Sequence, residues 1–176
     1  MVETYGELQF NLISDILPSG PVNPELGRQY SRADEQIKSN QGEPFDVDPD
    51  AVDRGLRGHA ATQNSLASFL LEHGITPRSP RPDEPQYDLA WNYQGYSWVA
   101  EVKSTTPLNE ERQLRLGLGQ ILRYRQQLRE QTDVVVAALV VEHPPVDPAW
   151  SELCAEFDVR LIWPTSYTSL IDPSYE

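Results

Sequence analysis

The feature that most constrains the fold is a run of eight consecutive apolar residues at positions 134–141, within the segment DVVVAALVVE. The run is far shorter than the roughly 20 apolar residues that a membrane helix needs. A continuous apolar run of this length is typical of a strand that is covered on both faces of its sheet. The sequence therefore predicts a layered fold in which helices cover a sheet that contains residues 133–142.

A long helix is predicted before this strand, over residues 48–73. Asp48 can serve as its N-cap, Pro49 occupies the first helical position, and Gly74 ends the helix. Two polar residues interrupt the seam that faces inward, which is formed by Val52, Leu56, His59, Gln63, Leu66 and Leu70. Because buried polar groups need partners, we expect polar groups opposite His59 and Gln63.

A β-hairpin is predicted next, with strands at 87–91 and 96–104 joined by the turn NYQG. Alternation along the second strand places Glu101 and Lys103 on the same face, about 7 Å apart. A second long helix follows over residues 106–130, where Gln120 and Tyr124 are one turn apart and share a face. Gly117 and Gly119 within it each cost about 1 kcal/mol relative to Ala, so we expect another backbone to approach closely at both.

With the remaining segments, the sequence predicts an α/β (α+β) fold in which helices flank a central mixed sheet. The predicted order of elements is α-β-β-β-α-β-α-β. A short helix is predicted from 147 to 157 and a last strand at 159–163. Residues 3–17 are predicted to be a strand or a short helix, and residues 18–47 a long loop or arm, with residues 77–85 a proline-rich linker. We therefore expect an N-terminal arm, residues 1–47, and one domain, residues 48–176.

The charge is unevenly distributed along the chain. The net charge is −13, but residues 54–129 carry more bases than acids, whereas both ends are acidic. A single cysteine, Cys154, excludes an intramolecular disulfide and predicts a reducing, cytoplasmic location, with no secretory signal and no membrane partner. The basic middle keeps a nucleic acid among the expected partners despite the net charge.

Three polar residues of the predicted hairpin can carry chemistry: Asp88, Glu101 and Lys103. Carboxylates on adjacent strands can bind Mg²⁺ (or Mn²⁺), and a lysine beside them can orient a metal-bound water. Lys103 is one of only two lysines against twelve arginines, which makes its retention informative. The alternative is a surface Glu–Lys pair on an exposed strand.

Asp88, Glu101-x-Lys103 and Gln120-x-x-x-Tyr124 together resemble the core of the PD-(D/E)XK nuclease superfamily, and the Gln-x-x-x-Tyr element resembles its RecB-like branch. Gly55-Leu-Arg-Gly-His59 fits the first-helix motif of that branch. The pattern departs in two places, because no proline immediately precedes Asp88 and no Leu-Glu pair follows the His motif. The resemblance implies a restriction-endonuclease-like fold, in which Asp88, Glu101 and the backbone carbonyl of Val102 bind a metal ion and His59 can bind a second one. It further implies that Lys103 positions the attacking water, and that Gln120 and Tyr124 orient Lys103 and the DNA phosphate.

Several of these residues have an ordinary alternative. His59 can be a core histidine, Gln63 a structural partner or a residue that supports a metal ligand, and Tyr124 an aromatic packing residue. A run of arginines on the second helix predicts phosphate contact, or else only a solvated helix face; its members include Arg112, Arg115, Arg123 and Arg125.

The function expected from these features is that of a Mg²⁺- or Mn²⁺-dependent DNA nuclease in bacterial defence or DNA repair. Because 176 residues leave no room for a recognition domain, specificity is expected from a homodimer, a partner protein or DNA structure. The alternative is a nuclease-fold protein without catalysis, which acts as an acidic DNA mimic or as a partner-binding subunit.

Overall fold

The computed structural model describes residues 25–36, 49–132 and 134–171, and only the backbone of residues 49–53. From α1 to β6 the elements follow the predicted order. They are β1 Arg28–Gln29, α1 Pro49–Glu72, β2 Arg78–Ser79, β3 Leu89–Tyr93, β4 Tyr96–Lys103, α2 Glu110–Leu128, β5 Val135–Val141, α3 Ala149–Glu156, β6 Val159–Ile162 and a 3₁₀ helix, Pro164–Leu170. The element predicted at 3–17 and the N-cap predicted at Asp48 lie outside the described residues.

The six strands form one mixed sheet in the order β1-β2-β3-β4-β5-β6. Strands β1 to β4 pair antiparallel, and β3 and β4 form the predicted hairpin around Gln94 and Gly95, which both have positive φ angles of 50° and 82°. Helices α2 and α3 return the chain across the sheet, so that β4, β5 and β6 pair in parallel. A mixed sheet flanked by helices confirms the predicted fold class.

Helices cover both faces of the sheet and create two cores. One core lies under α1 and the 3₁₀ helix, and the other lies under α2 and α3. Alternate residues of β5 enter each core: Leu139 packs on the α2 side and Val140 on the α1 side, and neither is exposed to solvent. The unbroken apolar run in the sequence follows directly from this burial on both faces.

The predicted inward seam of α1 is correct at Leu66 and Leu70, which are fully buried, but wrong at Leu56, which is exposed. The side chain of Val52 lies outside the described residues. Leu56 lies two residues before Gly58, where α1 packs on Ser104 and Glu142, which lie just beyond the ends of β4 and β5. No described helix is long and apolar enough to cross a bilayer.

Two short strands lie in segments that were predicted to be loop and linker. The nearly buried carboxylate of Glu84 holds them together, because it accepts hydrogen bonds from the backbone N–H of Gly27 at 2.9 Å, the N–H of Arg81 at 2.8 Å and the hydroxyl of Tyr87 at 2.6 Å. Asn64 on α1 also exchanges hydrogen bonds with the backbone of Ala33. Residues 25–36 are therefore fastened to β2 and α1 by side chains that are distant in sequence.

Candidate active site

Asp88 lies at the open end of the β3–β4 hairpin, against the backbone of β4. Its N–H donates to the carbonyl of Ala100 at 3.1 Å, and its Oδ2 accepts a hydrogen bond from the N–H of Val102 at 2.7 Å. The carboxylate of Asp88 is thereby fixed beside the two residues of β4 that flank Val102. The hairpin geometry brings together residues that are thirteen and fifteen positions apart in the sequence.

Glu101 and Lys103 occupy the face of β4 that α2 covers. Glu101 is only 3% exposed, and its Oε1 accepts a hydrogen bond from Lys103 Nζ at 2.5 Å. This burial excludes the alternative of a surface pair on an exposed strand. A buried charged pair is costly unless both groups are well partnered, so its presence indicates a role beyond solubility.

The two carboxylates of the site influence each other. Burial first, and the charge of Asp88 second, raise the pKa of Glu101 to about 7, although the hydrogen bond and charge of Lys103 act in the opposite direction. Burial and a neighbouring like charge both disfavour the ionised form of a carboxyl group, and such shifts cluster at functional sites. A positive ion beside Glu101 would therefore favour its ionised form.

Helix α1 contacts Asp88 from the other face of the sheet. His59 Nε2 lies 3.1 Å from Asp88 Oδ1, and Gln63 Nε2 donates to the backbone carbonyl of Asp88 at 2.8 Å. These contacts confirm that polar groups lie opposite both residues. Burial by itself lowers the pKa of His59, but the hydrogen bond and charge of Asp88 outweigh it and leave the pKa above its ordinary value.

These contacts also bear on the alternatives for the two α1 residues. The side chain of His59 is 32% exposed and its Nε2 lies 3.1 Å from a carboxylate oxygen, so it is a partly buried, hydrogen-bonded histidine, which fits both the alternative and a role in the site. Its Nε2 is engaged with Asp88, so the structure places His59 as a partner of Asp88, and direct metal ligation by His59 stays a prediction. Gln63 holds the backbone of Asp88 in place.

Helix α2 supplies a small residue and a polar pair beside Glu101 and Lys103. A Cβ built on Gly117 would lie 3.0 Å from Lys103 Cγ and 2.5 Å from Leu139 Cδ1, so only glycine leaves room for the lysine. Gln120 Nε2 lies 3.5 Å from the hydroxyl of Tyr124. Burial, and next the charge of Glu101, raise the pKa of Tyr124.

The prediction of close backbone approach at both α2 glycines is wrong. Gly117 meets side chains, those of Leu139 and Lys103, and Gly119 has nothing within 4 Å of the position that a Cβ would occupy. The two positions are equivalent in local sequence. Only the direction in which each Cα faces distinguishes them.

The four arginines predicted to bind DNA differ in their surroundings. Arg112 and Arg123 are exposed, and Arg115 is exposed and pairs with Glu111 at 3.3 Å. Arg125 instead donates two hydrogen bonds of 2.9 Å to the carbonyls of residues 157 and 158 at the end of α3. Arg125 therefore joins α2 to α3, and three of the four side chains are placed to meet a ligand in solvent.

Sequence reasoning missed two residues near the site. Tyr30 donates a hydrogen bond to Asn64 at 2.8 Å, and burial, with a smaller effect from the charge of Asp88, raises its pKa to about 12. Nothing in the local sequence indicates this placement. Glu142 follows β5 where Val141 pairs with Lys103, and the rule that neighbouring parallel strands end at the same edge of a sheet could have identified it.

The site contains two carboxylates that could bind a metal ion, those of Asp88 and Glu101. Within the described ranges, no group of three or more His, Cys, Asp or Glu side chains is arranged to hold a metal. The charges of Asp88 and Glu101 interact, and a divalent cation would offset their repulsion, which adds to the effect of burial on the pKa of Glu101. Oxygen donors of this kind fit Mg²⁺ or Mn²⁺, which keep several water ligands. Ligation by the carbonyl of Val102 stays a prediction.

Comparison with known proteins adds little to this geometry. No family model matches the sequence, and no curated protein matches it. A solved structure of an XisH family protein from Nostoc punctiforme PCC 73102 matches with a TM-score of 0.42 and 21% identity, over 58% of this chain and 88% of that chain. A similarity of this extent does not bear on the site, so the RecB-like branch stays a prediction from the motifs.

Proposed function

We propose that the protein is a metal-dependent nuclease that hydrolyses DNA phosphodiester bonds. One observation carries the proposal: the buried carboxylate of Glu101 is paired with Lys103 at 2.5 Å and is close enough to Asp88 for the two charges to interact. Two carboxylates and a lysine in one buried cluster suit metal-assisted hydrolysis of a phosphate ester.

The residues present can divide the work of such a reaction. Asp88 and Glu101 would hold Mg²⁺ or Mn²⁺, which when bound neutralises phosphate charge and lowers the pKa of a bound water. Lys103 Nζ can orient the attacking water and stabilise negative charge that develops on the phosphate. His59 keeps Asp88 oriented through their hydrogen bond, and Tyr124 can donate to a phosphate oxygen.

The substrate is inferred from the charge around the cluster. Arg112, Arg115 and Arg123 project into solvent from α2, the helix that also carries Gln120 and Tyr124. Arginines can contact successive phosphates of a nucleic acid without reading its sequence. We infer that α2 lies along the DNA backbone.

The test is cleavage of supercoiled and linear DNA with Mg²⁺ or Mn²⁺ by the wild type, Lys103→Ala and Glu101→Gln. We expect metal-dependent cleavage that falls by about 10²-fold or more in both variants, with exposed Glu130→Gln as the matched control. Calorimetric titration of Mn²⁺ into the wild type and Asp88→Asn follows. Cleavage that survives in both catalytic variants would contradict the assignment.

A second candidate, a non-catalytic interaction module, is favoured by one observation. The groove between α2 and α3 is lined by four acidic side chains, those of Glu111, Asp147, Glu152 and Glu156. Such a surface suits a basic partner protein. Folded wild-type protein that neither cleaves DNA nor binds Mn²⁺ would support this candidate over the nuclease.

A further inference from the structure

A second carboxylate cluster lies at the same end of the sheet as the candidate site. The Oε2 of Glu142, which follows β5, accepts hydrogen bonds from Ser104 Oγ at 2.9 Å, the N–H of Thr105 at 3.0 Å and Arg54 Nη2 at 3.3 Å. Its side chain is only 17% exposed. One carboxylate therefore joins three segments: the end of β5, the chain after β4 and the first turns of α1.

The guanidinium of Arg54 reinforces this junction. It donates to Ser104 Oγ at 3.2 Å and to the carbonyl of Thr105 at 3.2 Å. Arg54 lies five residues before His59 on α1, and Ser104 directly follows Lys103 in the chain. The cluster thus connects α1, which carries His59, to the chain that follows β4, which carries Lys103.

Close packing at Gly58 shows how tightly α1 is held here. A Cβ at Gly58 would overlap the carboxylate of Glu142 and would lie 2.8 Å from Ser104 Oγ. Gly55, one turn earlier on the same helix, has nothing within 4 Å of the same position. The helix therefore contacts the cluster at the residue immediately before His59.

We propose that Glu142 is a positioning residue of the site, which sets the separation between His59 on α1 and Lys103 on β4. The inference rests on the proposed function. Its Oε2 accepts three hydrogen bonds from groups of this chain, so the carboxylate is held in one position and fixes the segments that it joins. Groups that support metal ligands in this way typically change metal affinity or activity by roughly 10- to 100-fold when they are replaced.

The test is calorimetric titration of Mn²⁺ into the wild type, Glu142→Gln, Arg54→Gln and the double variant, with urea denaturation of each. We expect Glu142→Gln to weaken Mn²⁺ binding by about tenfold or more, and Arg54→Gln to weaken it in the same direction. Because both residues act through one cluster, the double variant should bind no more weakly than Glu142→Gln alone. Exposed Glu72→Gln, at the end of α1, is the matched control.

Cleavage kinetics supply a readout that general loosening of the fold would not give. At saturating Mn²⁺ we expect Glu142→Gln to lower kcat while the KM for DNA stays at the wild-type value. If Glu142→Gln does not fold, Arg54→Gln carries the same test, since the Arg54 side chain is 45% exposed.

The outcomes separate the two proposals. Wild-type Mn²⁺ affinity in Glu142→Gln and Arg54→Gln, with binding lost in Asp88→Asn, would overturn the inference and leave the nuclease assignment standing. Absence of Mn²⁺ binding by the wild type would overturn the proposed function and the inference with it.

Discussion

Replacement of Gly117 by alanine tests whether α2 is shaped to accommodate Lys103. The new Cβ would lie 2.5 Å from Leu139 Cδ1 and 3.0 Å from Lys103 Cγ. Leu139 is fully buried and cannot move freely, so overpacking should cost about 1–3 kcal/mol. Gly119→Ala is the matched control, because a Cβ there meets nothing within 4 Å.

Both substitutions gain the same helix propensity, roughly 1 kcal/mol, so their difference isolates the packing cost. We expect Gly119→Ala to raise the free energy of unfolding by about 1 kcal/mol. The free energy of unfolding of Gly117→Ala should be about 1–3 kcal/mol lower than that of Gly119→Ala. Urea denaturation measures this difference, and DNA cleavage should fall only in Gly117→Ala. Equal stability and equal activity of the two variants would refute the reasoning.

Three further predictions concern the site and its supports. The folded state binds the Glu101 proton more tightly than the unfolded chain does, with a pKa of about 7 against 4.5. The free energy of unfolding should therefore fall as pH rises across that window, by up to about 3 kcal/mol. Glu101→Gln should remove this decline; a decline of equal size in the variant, by urea denaturation at each pH, would count against it. Gln63→Leu leaves the carbonyl of Asp88 without its donor and should cost about 1–3 kcal/mol of stability, which thermal or urea unfolding will show; unchanged stability would refute the role of that bond. Arg123→Ala should weaken DNA binding and reduce its salt dependence. Arg125→Ala should instead lower the free energy of unfolding by about 1 kcal/mol and leave DNA binding unchanged. Salt-titrated binding assays in which Arg125→Ala weakens DNA binding and Arg123→Ala does not would contradict the placement of both residues.

Much of the fold could be predicted because its signals are local. The unbroken apolar run indicated a strand buried on both faces, and β5 is that strand. Turn chemistry at 92–95 located the hairpin, since Gly95 adopts a φ of 82° that most residues avoid. Two polar residues in the α1 seam indicated polar partners, which Asp88 supplies.

The remaining features could not be predicted because they depend on which groups meet across the fold. Gly117 and Gly119 are equivalent in sequence, but only Gly117 faces a neighbouring side chain. Arg125 belongs to the same run as Arg123, yet it bonds the end of α3. Leu56 continues the spacing of the α1 seam and is exposed, because periodicity does not indicate where the sheet beneath a helix ends.

The sequence by itself determined the order of the longer helices and strands, from α1 onward, and the residue types available for chemistry, but it did not locate the short strands β1 and β2. Period and turn residues act over a few positions, so they can be interpreted without knowing the rest of the chain. Tertiary structure alone decided that Glu101 is buried where the charge of Asp88 reaches it, and that Glu142 joins Arg54 to Ser104. The distances between these atoms, which determine charge interactions and chemistry, are fixed by packing between segments that are far apart in the chain.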